Sequence, residues 1–303
     1  MLLDSKIKTF LKLAEGSGIA DAASSLGISQ DKIMRQVRDL EEHYSQKLFS
    51  LNESGLCCLT SAGRLLLKRM NSIRNDLKHT KNELRCFGNC KCEIKLGVTH
   101  TIGQSVIPRP LARYLLEPES FDVSMEVAST EKLTKKLLNG KLNIAMTESG
   151  FDTDIFDAIL YATVPFVAVC STRHKFKQPP VYLKDLTSEC LLIREESSST
   201  RHMTERCLWS KGIAPADFDR IVEVASVQAI LQMIDEDLGF SFMYAPCAEE
   251  AIRQGRLKEI PLKDLSVYRD FHFIWPRSSS YHDEYIHMCK RICEIYHRMV
   301  NPM

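Results

Sequence analysis

The apolar residues at the start of the chain repeat with the period of a helix in three short segments. Gly16 and Gly18 separate the first segment from the second, and Gly27 separates the second from the third. The apolar positions are Ile7, Phe10, Leu11 and Ala14, then Ile19, Ala22, Ala23 and Leu26, then Ile33, Val37, Leu40 and Tyr44. Spacings of three and four residues place each set on one side of a helix. The pattern therefore predicts three short helices around a small core.

The junction between the second and third predicted helices has the residues of a tight turn. Gly27 can adopt the positive φ that such a turn requires, and Ser29 is a suitable N-cap for the next helix. Two short helices joined in this way are typical of a helix-turn-helix motif, whose second helix lies in the major groove of DNA. The outer side of that second helix carries Asp31, Met34, Arg35, Arg38 and Glu42. By itself such a mixture is consistent with either a solvated surface or a DNA contact.

Two short apolar segments follow the third predicted helix, at residues 47–49 and 56–59. Between them lie Asn52, Glu53, Ser54 and Gly55, which are residue types that favour turns. The pattern predicts a small hairpin, or wing, beside the helices. Residues 1–59 are therefore expected to form a winged helix-turn-helix head.

Residues 60–88 show a longer helical pattern. Its seam positions are Leu66, Met70, Ile73, Leu77, Thr80 and Leu84, spaced alternately by four and three residues. This spacing matches the a/d seam of a coiled coil, and Arg and Lys residues flank it. An ordinary helix packed on a core gives a similar pattern, but the length of this segment favours a helix that pairs with a second copy.

Strand-like and helix-like segments alternate over the rest of the chain. The predicted strands cover residues 94–98, 123–127, 143–146, 165–170, 191–194, 221–224, 239–243 and 271–275. The predicted helices cover residues 107–116, 133–138, 200–211, 227–236, 246–254 and 281–299. Such alternation is typical of an α/β fold in which helices cover a largely parallel sheet. Two α/β lobes joined by two crossing strands would form a ligand cleft between them.

Composition and charge are those of a globular chain with a basic front. Of the 303 residues, 44% are hydrophobic and 26% are charged. Residues 1–90 contain 14 Lys and Arg against 10 Asp and Glu, whereas the remainder contains 26 against 29. A mildly basic head favours nucleic-acid binding, because a basic surface attracts phosphate. No secretory signal and no apolar run of membrane-spanning length is present, so we expect a cytoplasmic protein without membrane contact.

A long ordered set of residues in the first sixty positions matches a known pattern. It comprises the run FLKLAEGSGIADAASSLGISQDKIMRQVRDLEEHYSQKLF and the later run LTSAGRLLL. These runs resemble the winged helix-turn-helix head of the LysR-type transcriptional regulators. The resemblance implies that the third helix binds double-stranded DNA through Gln30, Lys32, Arg35, Gln36 and Arg38. It also implies that the helix over residues 60–88 makes a homodimer, or contributes to a homotetramer.

The chain departs from the family pattern at three positions of this head. Family members usually have Ser or Thr where this chain has Met34, and Pro or Ser where it has Asp31. They commonly have Arg where this chain has Leu51. Asp31 would repel phosphate and Leu51 removes a positive charge from the wing. We therefore expect weaker or differently specified operator binding.

The remainder resembles the effector-binding domain of the same family. The matching stretches are NGKLNIAM, VCSTRHKF, LKDL, LLIREESSSTR, VEVASVQAILQMIDEDLGFSFM and GRLKEIPL. The resemblance implies a two-lobed α/β domain over residues 93–303, with the architecture of periplasmic solute-binding proteins. Lobe I is expected over residues 93–162 and 268–303, and lobe II over residues 163–267. A small-molecule effector would bind between the lobes.

Effector contacts in such a cleft come from strand ends and helix N-termini, where N–H and hydroxyl groups are available. By the resemblance, the expected contacts are Thr99, His100, Thr101, Thr147, Glu196, Ser197, Ser198 and Thr200. The serines are equally suited to be helix N-caps, so a purely structural role stays open for them. Nearby Glu148 and Glu195 disfavour a multiply charged anion unless a base such as Arg194 offsets them. The hypothesis is a small effector that bears a carboxylate or an amine.

The eleven cysteines have no regular spacing, which favours a reducing compartment over a disulfide framework. Cys86, Cys90 and Cys92 do not have a usual zinc-ligand spacing, so no metal site is predicted, although a thiol switch remains an alternative. Peroxide-sensing family members have a reactive Cys in the segment matching residues 196–200 and a second Cys nine residues later. Here the positions hold Ser198 and Cys207, so peroxide sensing by that disulfide is not expected.

Other classes of function are less favoured. The chain contains no G-x-S-x-G, P-loop, H-E-x-x-H or dinucleotide-binding glycine motif, so we do not expect an enzyme. A transport receptor would not need residues 1–88. The sequence therefore predicts a DNA-binding transcriptional regulator that responds to a small-molecule effector and needs no cofactor.

Overall fold

The computed structural model describes residues 4–16, 18–51, 57–86, 93–118, 121–148, 150–277 and 279–300. The head consists of three helices and a hairpin, as predicted. They are α1 (Ser5–Ala14), α2 (Ile19–Leu26), α3 (Gln30–Tyr44), β1 (Phe49–Leu51) and β2 (Cys57–Leu59). The two strands pair in antiparallel fashion.

The turn between α2 and α3 has the predicted chemistry. Gly27 has a φ of 64°, which lies in the left-handed region that favours glycine. The Ser29 hydroxyl accepts a hydrogen bond from the Lys32 amide at 3.3 Å and so caps α3. Phe10, Ala22 and Ile33 are fully buried, so all three helices contribute to the core of the head.

A long helix, α4 (Ser61–Cys86), follows the head directly. Leu66 and Met70 of its predicted seam pack against the core of the head. Ile73 and Leu84, further along the seam, are 42% and 70% exposed. The seam is therefore only partly used within one chain.

The second domain contains an α/β sheet covered by helices. Its first elements are β3 (Glu93–Val98), α5 (Pro108–Leu115), β4 (Asp122–Val127), α6 (Thr130–Leu138), β5 (Ile144–Thr147) and β6 (Phe156–Ser171). Next come β7 (Cys190–Ile193), α7 (Ser199–Trp209), β8 (Arg220–Glu223), α8 (Val227–Asp235), β9 (Phe240–Tyr244), α9 (Ala245–Arg253), β10 (Leu257–Glu259), β11 (Val267–Pro276) and α10 (His282–Val300). A π-helical turn at residues 102–106 precedes α5 and was not predicted.

The sheet divides into two lobes that share two long strands. The strand order is β4-β3-β5-β11-β6-β9-β7-β8, and β10 adds to β6. On the lobe I side β3 is parallel to β4 and β5, and on the lobe II side β7 is parallel to β8 and β9. β6 and β11 pair in antiparallel fashion along the junction between the lobes. This places the carboxyl ends of β3 and β7 at the boundary where a ligand is expected.

β6 is sixteen residues long, whereas the sequence pattern predicted only the strand over residues 165–170. Of the first eight residues of β6 only Phe156 and Tyr161 are buried, and Asp157 lies between apolar residues, so the burial of this half does not follow a simple apolar pattern. The short strand β10 was also missed, because three residues are too few to show a period.

One side of α4 packs on lobe I through buried polar groups. Asn75 is almost fully buried, and its Nδ2 donates to the carbonyl oxygens of Leu137 at 3.2 Å and Leu142 at 2.8 Å. Gly140 lies so close to α4 that an added Cβ would come within 3.0 Å of the Asn75 Cα. The helix α4 is therefore docked on lobe I of its own chain.

A buried histidine belongs to the same contact. Asn143 Nδ2 lies 2.5 Å from His79 Nδ1, and Asn143 Oδ1 accepts from the Lys95 amide at 2.8 Å. This arrangement makes His79 Nδ1 an acceptor. Burial lowers the pKa of His79, and the nearby carboxylates of Glu83 and Asp76 act in the opposite direction.

Candidate functional site

The candidate recognition surface of the head is the side of α3 that carries the predicted DNA contacts. The opposite side of the helix buries Ile33, Val37 and Leu40 in the head. The buried aliphatic residues hold the helix in place, so the side chains on the other side have a defined position. The helix thus has the two-sided character that its sequence predicted.

Four of the five predicted DNA contacts are exposed on α3: Gln30, Lys32, Arg35 and Arg38. Over the described ranges, no ion pair involves Arg35 or Arg38, so both guanidinium groups are available to an external anion. Asp31 and Met34, the two departures from the family pattern on this helix, are exposed as well.

The prediction for Gln36 is wrong. Gln36 is 8% exposed, and its Oε1 accepts a hydrogen bond from the Thr9 hydroxyl at 2.5 Å. Its Nε2 donates to the Ser5 hydroxyl at 3.3 Å. The side chain joins α3 to α1 inside the head and does not reach the recognition surface.

Glu41 fixes the hairpin to the end of α3. Its carboxylate accepts from the amides of Leu48 at 2.8 Å and Phe49 at 3.3 Å, and from Lys47 Nζ at 2.7 Å. Burial disfavours the charged form, but these hydrogen bonds outweigh it and lower the pKa of Glu41. The turn residues 52–56 lie outside the described residues, and so does the side chain of Leu51.

The second site is a cleft of about 390 Å³ between the lobes. Four chain segments surround it: the ends of β3 and β7 and the starts of α6 and α7. The lining residues are Thr99, His100, Thr101, Ser129, Thr130, Glu131, Arg194, Glu195, Ser197, Ser198, Ser199 and His202. Every lining residue therefore carries a hydroxyl, an imidazole or a charged side chain.

Five of the eight predicted effector contacts line this cleft: Thr99, His100, Thr101, Ser197 and Ser198. Thr200 is buried behind the lining, where its hydroxyl is 3.1 Å from the Thr101 hydroxyl and joins the two lobes. The other two predicted contacts do not line the cleft. Thr147 is fully buried, and Glu196 is exposed while its neighbour Glu195 is part of the lining.

The sequence reasoning missed the start of α6 altogether. Ser129, Thr130 and Glu131 follow β4, and a Ser-Thr pair after a strand is a recognisable helix start. This local signal could have identified the helix start from the sequence. The approach of these three residues to the start of α7 depends on how the two lobes are arranged, and no local sequence pattern contains that information.

Two helix N-termini face the cleft with free backbone donors. Ser129 is the N-cap of α6 and Ser198 is the N-cap of α7, and neither makes a side-chain capping hydrogen bond. The first amides of a helix lack partners inside the helix and carry a partial positive charge. Both starts therefore favour an acceptor or an anion in the cleft.

Arg194 adds a buried donor. It is 4% exposed, and it pairs with Glu195 through Nε at 2.7 Å and Nη2 at 2.9 Å. In the described part of the chain its Nη1 has no hydrogen-bond acceptor, although Arg194 lines the cleft. A buried guanidinium N–H without a partner is costly, so this atom favours an acceptor on a ligand.

Glu148 lies directly beneath the cleft surface and is nearly fully buried. Its Oε1 accepts from the Thr99 hydroxyl at 2.9 Å, and the Ser199 side chain of lobe II lies near the carboxyl group. Burial raises the pKa of Glu148, while the polar side chains of Thr99 and Ser199 and the charge of Arg269 counteract the rise. A carboxyl group of lobe I thus lies close to residues of both lobes.

Cys207, the cysteine considered for peroxide chemistry, is buried, and burial raises the pKa of its thiol, which disfavours the reactive thiolate. Cys90 and Cys92 lie outside the described residues, as does the side chain of Cys86. Within the described ranges, no group of three or more His, Cys, Asp or Glu is arranged to hold a metal ion. None of the described helices has the length and hydropathy needed to span a membrane.

A winged helix-turn-helix head, a long connecting helix and a two-lobed domain with a polar cleft together define a ligand-responsive DNA-binding regulator. Two family models match the chain. One, described as the bacterial regulatory helix-turn-helix protein of the lysR family, matches residues 5–64. The other, described as the LysR substrate binding domain, matches residues 91–287. The chain belongs to the LysR family of transcriptional regulators.

Known relatives agree over nearly the whole length. An uncharacterised HTH-type transcriptional regulator of Methanocaldococcus jannaschii is 24% identical over 280 residues, which cover 91% of this chain and 94% of the relative. The full-length regulator LysG of Corynebacterium glutamicum, solved with its effector arginine, has a TM-score of 0.63 at 15% identity, covering 97% of this chain and 98% of LysG. A cysteine-to-serine mutant of OxyR from Corynebacterium glutamicum, solved with hydrogen peroxide bound, has a TM-score of 0.60 at 18% identity, covering 97% of this chain and 92% of OxyR. At these identities the structures establish a shared fold.

Proposed function

We propose that α3 reads operator DNA through Gln30, Lys32, Arg35 and Arg38. The observation that carries this proposal is the exposure of both arginines on a helix whose other side is anchored in the head. Arg binds guanine through two hydrogen bonds or a phosphate through one, and Gln can pair with adenine. Lys32, at the start of the helix, is suited to a phosphate.

The test is DNA binding by the full chain, measured by fluorescence anisotropy on a fragment selected from a random pool. Arg35→Ala and Arg38→Ala are each expected to cost about 1–3 kcal/mol if the residue reads a base, with relaxed specificity at one position. A phosphate contact would instead lower the salt slope by about 1. Arg298→Ala, at an exposed position of the effector domain, is the control. Unchanged affinity, specificity and salt slope in both α3 variants would refute the proposal.

We also propose that α4 pairs two chains. The support is the exposed apolar side of α4, where Ile73 and Leu84 remain open to solvent although their spacing is that of a coiled-coil seam. Two heads joined in this way would contact two half-sites of an operator. Sedimentation of the double variant Ile73→Asp, Leu84→Asp should yield monomers, and a wild type that is monomeric at micromolar concentration would contradict the pairing.

We further propose that the cleft binds a small effector with a carboxylate or a similar acceptor. Arg194 Nη1 and the uncapped starts of α6 and α7 provide the donors. The other charges of the cleft, Glu131 and Glu195, limit the effector to a low negative charge.

Straight-chain carboxylates of three to six carbons that carry an ammonium, a hydroxyl or a second carboxylate at the far end are suitable probes. Calorimetry should detect binding of at least one of them to the full chain, and Arg194→Gln should weaken every binding member about tenfold or more. Arg220→Gln, an exposed position of the same lobe, is the matched control. Equal affinities in Arg194→Gln and wild type would refute the role of Arg194.

A structural change caused by effector binding would be transmitted to α4 through β5. β5 begins next to Asn143, which contacts His79 of α4, and it ends next to Glu148 under the cleft. We infer that a shift of lobe I at the cleft changes the docking of α4 and therefore the spacing of the two heads. The cytoplasm, where operator DNA is accessible, remains our prediction for its location.

A further inference from the structure

The helix α6 extends from the cleft to α4. Ser129, Thr130 and Glu131 at its start line the cleft, and its nine residues span about 13 Å. Leu133 and Leu137 are fully buried in lobe I, so the whole length of this short helix is anchored there. A displacement at the start of α6 is therefore carried to its other end.

The C-terminal end of α6 is capped by side chains of α4. The last carbonyl groups of a helix have no partner inside the helix and carry a partial negative charge, which favours cationic donors. Arg74 donates to the Leu138 carbonyl oxygen through Nε at 3.1 Å and Nη2 at 2.6 Å. Lys78 Nζ donates to the carbonyl oxygen of Asn139, the next residue. Movement of α6 therefore changes the hydrogen bonds of these two cations.

Arg74 also contacts the head. Its Nη1 forms an ion pair with Oε1 of Glu15, the C-cap of α1, at a distance of 3.9 Å. Its Nη2 also donates to Asn71 Oδ1 at 2.8 Å, which holds the guanidinium group against α4. Leu66 and Met70 already pack α4 on the head, and Arg74 lies one turn beyond Met70. One guanidinium group thus contacts the head, α4 and lobe I.

The two contacts of this guanidinium group depend on each other. The group is planar and rigid, so a shift of the Leu138 carbonyl oxygen turns Nη1 relative to Glu15. Burial lowers the pKa of Arg74, and the charge of Glu15 counteracts this effect. The carboxylate of the head therefore compensates part of the cost of burying the cation, and that compensation is lost when the head turns away.

We propose that Arg74 is a positioning residue for the DNA-binding head: it sets the orientation of the head relative to lobe I, and a ligand at the start of α6 changes that orientation. The inference rests on the proposed function, because it assumes that the head reads operator DNA and that the cleft binds an effector. It adds a contact that reaches the head directly, whereas the connection through β5 ends at α4. Because coupling between two sites is reciprocal, operator binding must in turn act on α6.

The reciprocal effect can be measured without knowing the effector. The experiment is hydrogen exchange of the full chain, followed by mass spectrometry on a peptide covering residues 129–139, with and without a saturating DNA fragment selected from a random pool. DNA fixes the head and therefore the ion pair, which stabilises the last turn of α6. Exchange should slow by about two- to fivefold, the range expected from an ion pair that is partly exposed.

Three variants separate the contact with the head from the docking of α4. Glu15→Gln removes the charge on the head and leaves the bond to Leu138, so the slowing by DNA should disappear. Arg74→Gln should abolish it too, and should also speed exchange in the free protein. Lys78→Gln is the matched control: it frees the neighbouring carbonyl group, but within the described ranges Lys78 forms no ion pair with the head. It should speed exchange in the free protein and retain the slowing by DNA.

Slowing in Glu15→Gln as large as in wild type would overturn the inference, and so would a wild type in which bound DNA leaves residues 129–139 unchanged. Loss of the slowing in Lys78→Gln would also overturn it, because the coupling would then belong to the docking of α4 as a whole. If Arg74→Gln does not fold, Glu15→Gln at the surface of the head is sufficient for the test. Failure of the proposed function has a different signature, because wild type would then bind no selected fragment, which would remove both claims.

Discussion

Glu41 offers a test of how the head holds its recognition helix and its wing together. The carboxylate accepts two backbone hydrogen bonds, from Leu48 and Phe49, and one from Lys47. Both amides donate to Oε1 and Lys47 donates to Oε2, so Glu41→Gln removes the charge from both backbone hydrogen bonds and places an amide donor opposite Lys47 if its oxygen keeps the two amides. Hydrogen bonds to charged groups contribute about 1.5–3 kcal/mol, and we expect a loss of about 2 kcal/mol at pH 7.

The effect should depend on pH in a defined direction. The pKa of Glu41 is lowered in the folded head, so its stabilisation is fully present above the ordinary value of 4.5. It is lost as the pH falls through the lowered folded value. The difference between wild type and Glu41→Gln should therefore be constant from pH 7.5 to 5.5 and shrink below pH 4.5.

Hydrogen exchange measured by mass spectrometry on peptides covering residues 40–51 and 57–60 gives the opening free energy, after correction for the intrinsic rate at each pH. Glu42→Gln, an exposed neighbour on the same helix, is the control and should have little effect. A difference that persists unchanged at pH 3.5, or that is absent at pH 7, would refute the role assigned to Glu41.

Three further predictions concern the operator contact and the docking of α4. Asp31→Asn removes a negative charge from the exposed start of α3 and should strengthen operator binding up to about fivefold at low salt, less at high salt, as measured by anisotropy. Gly140→Ala adds a Cβ at a φ of 59° and within 3.0 Å of the Asn75 Cα, which strains the contact with α4. The opening free energy measured by hydrogen exchange in residues 70–84 should therefore fall by at least about 1 kcal/mol. The pKa of His79 is lowered in the folded chain, so the docked state favours the neutral imidazole. Docking of α4 should therefore weaken as the pH falls below the ordinary value of 6.5. Hydrogen exchange of the same peptide should show this pH dependence in wild type and lose it in His79→Gln.

The local sequence pattern was sufficient to predict many of the helices and strands of this protein. The period of the apolar residues, the glycine at position 27 and the cap at Ser29 predicted α1, α2 and α3, because each signal acts within a few residues. The same reasoning placed Arg35 and Arg38 on the exposed side of α3. It also predicted the alternation of strands and helices in the second domain.

Other features depended on residues far apart in the sequence. Gln36 has the composition of a DNA contact, but its partner is Thr9, 27 positions earlier, so only packing of α1 on α3 decided that it is buried. Asn75 and His79 look like polar positions of a solvated helix, yet their partners in lobe I lie more than sixty positions later, at Leu137, Leu142 and Asn143.

The composition of the cleft also depends on contacts between residues that are far apart in the sequence. Sequence alone identified strand ends and helix starts as candidates, and Thr99, Thr101 and Ser198 do line the cleft, while their contact with an effector stays a prediction. It could not assign the start of α6 to the same surface, nor bring Glu148 of lobe I to Ser199 of lobe II. Periodicity states which side of an element is buried, whereas the identity of the group on the opposite wall depends on how β6 and β11 join the two lobes.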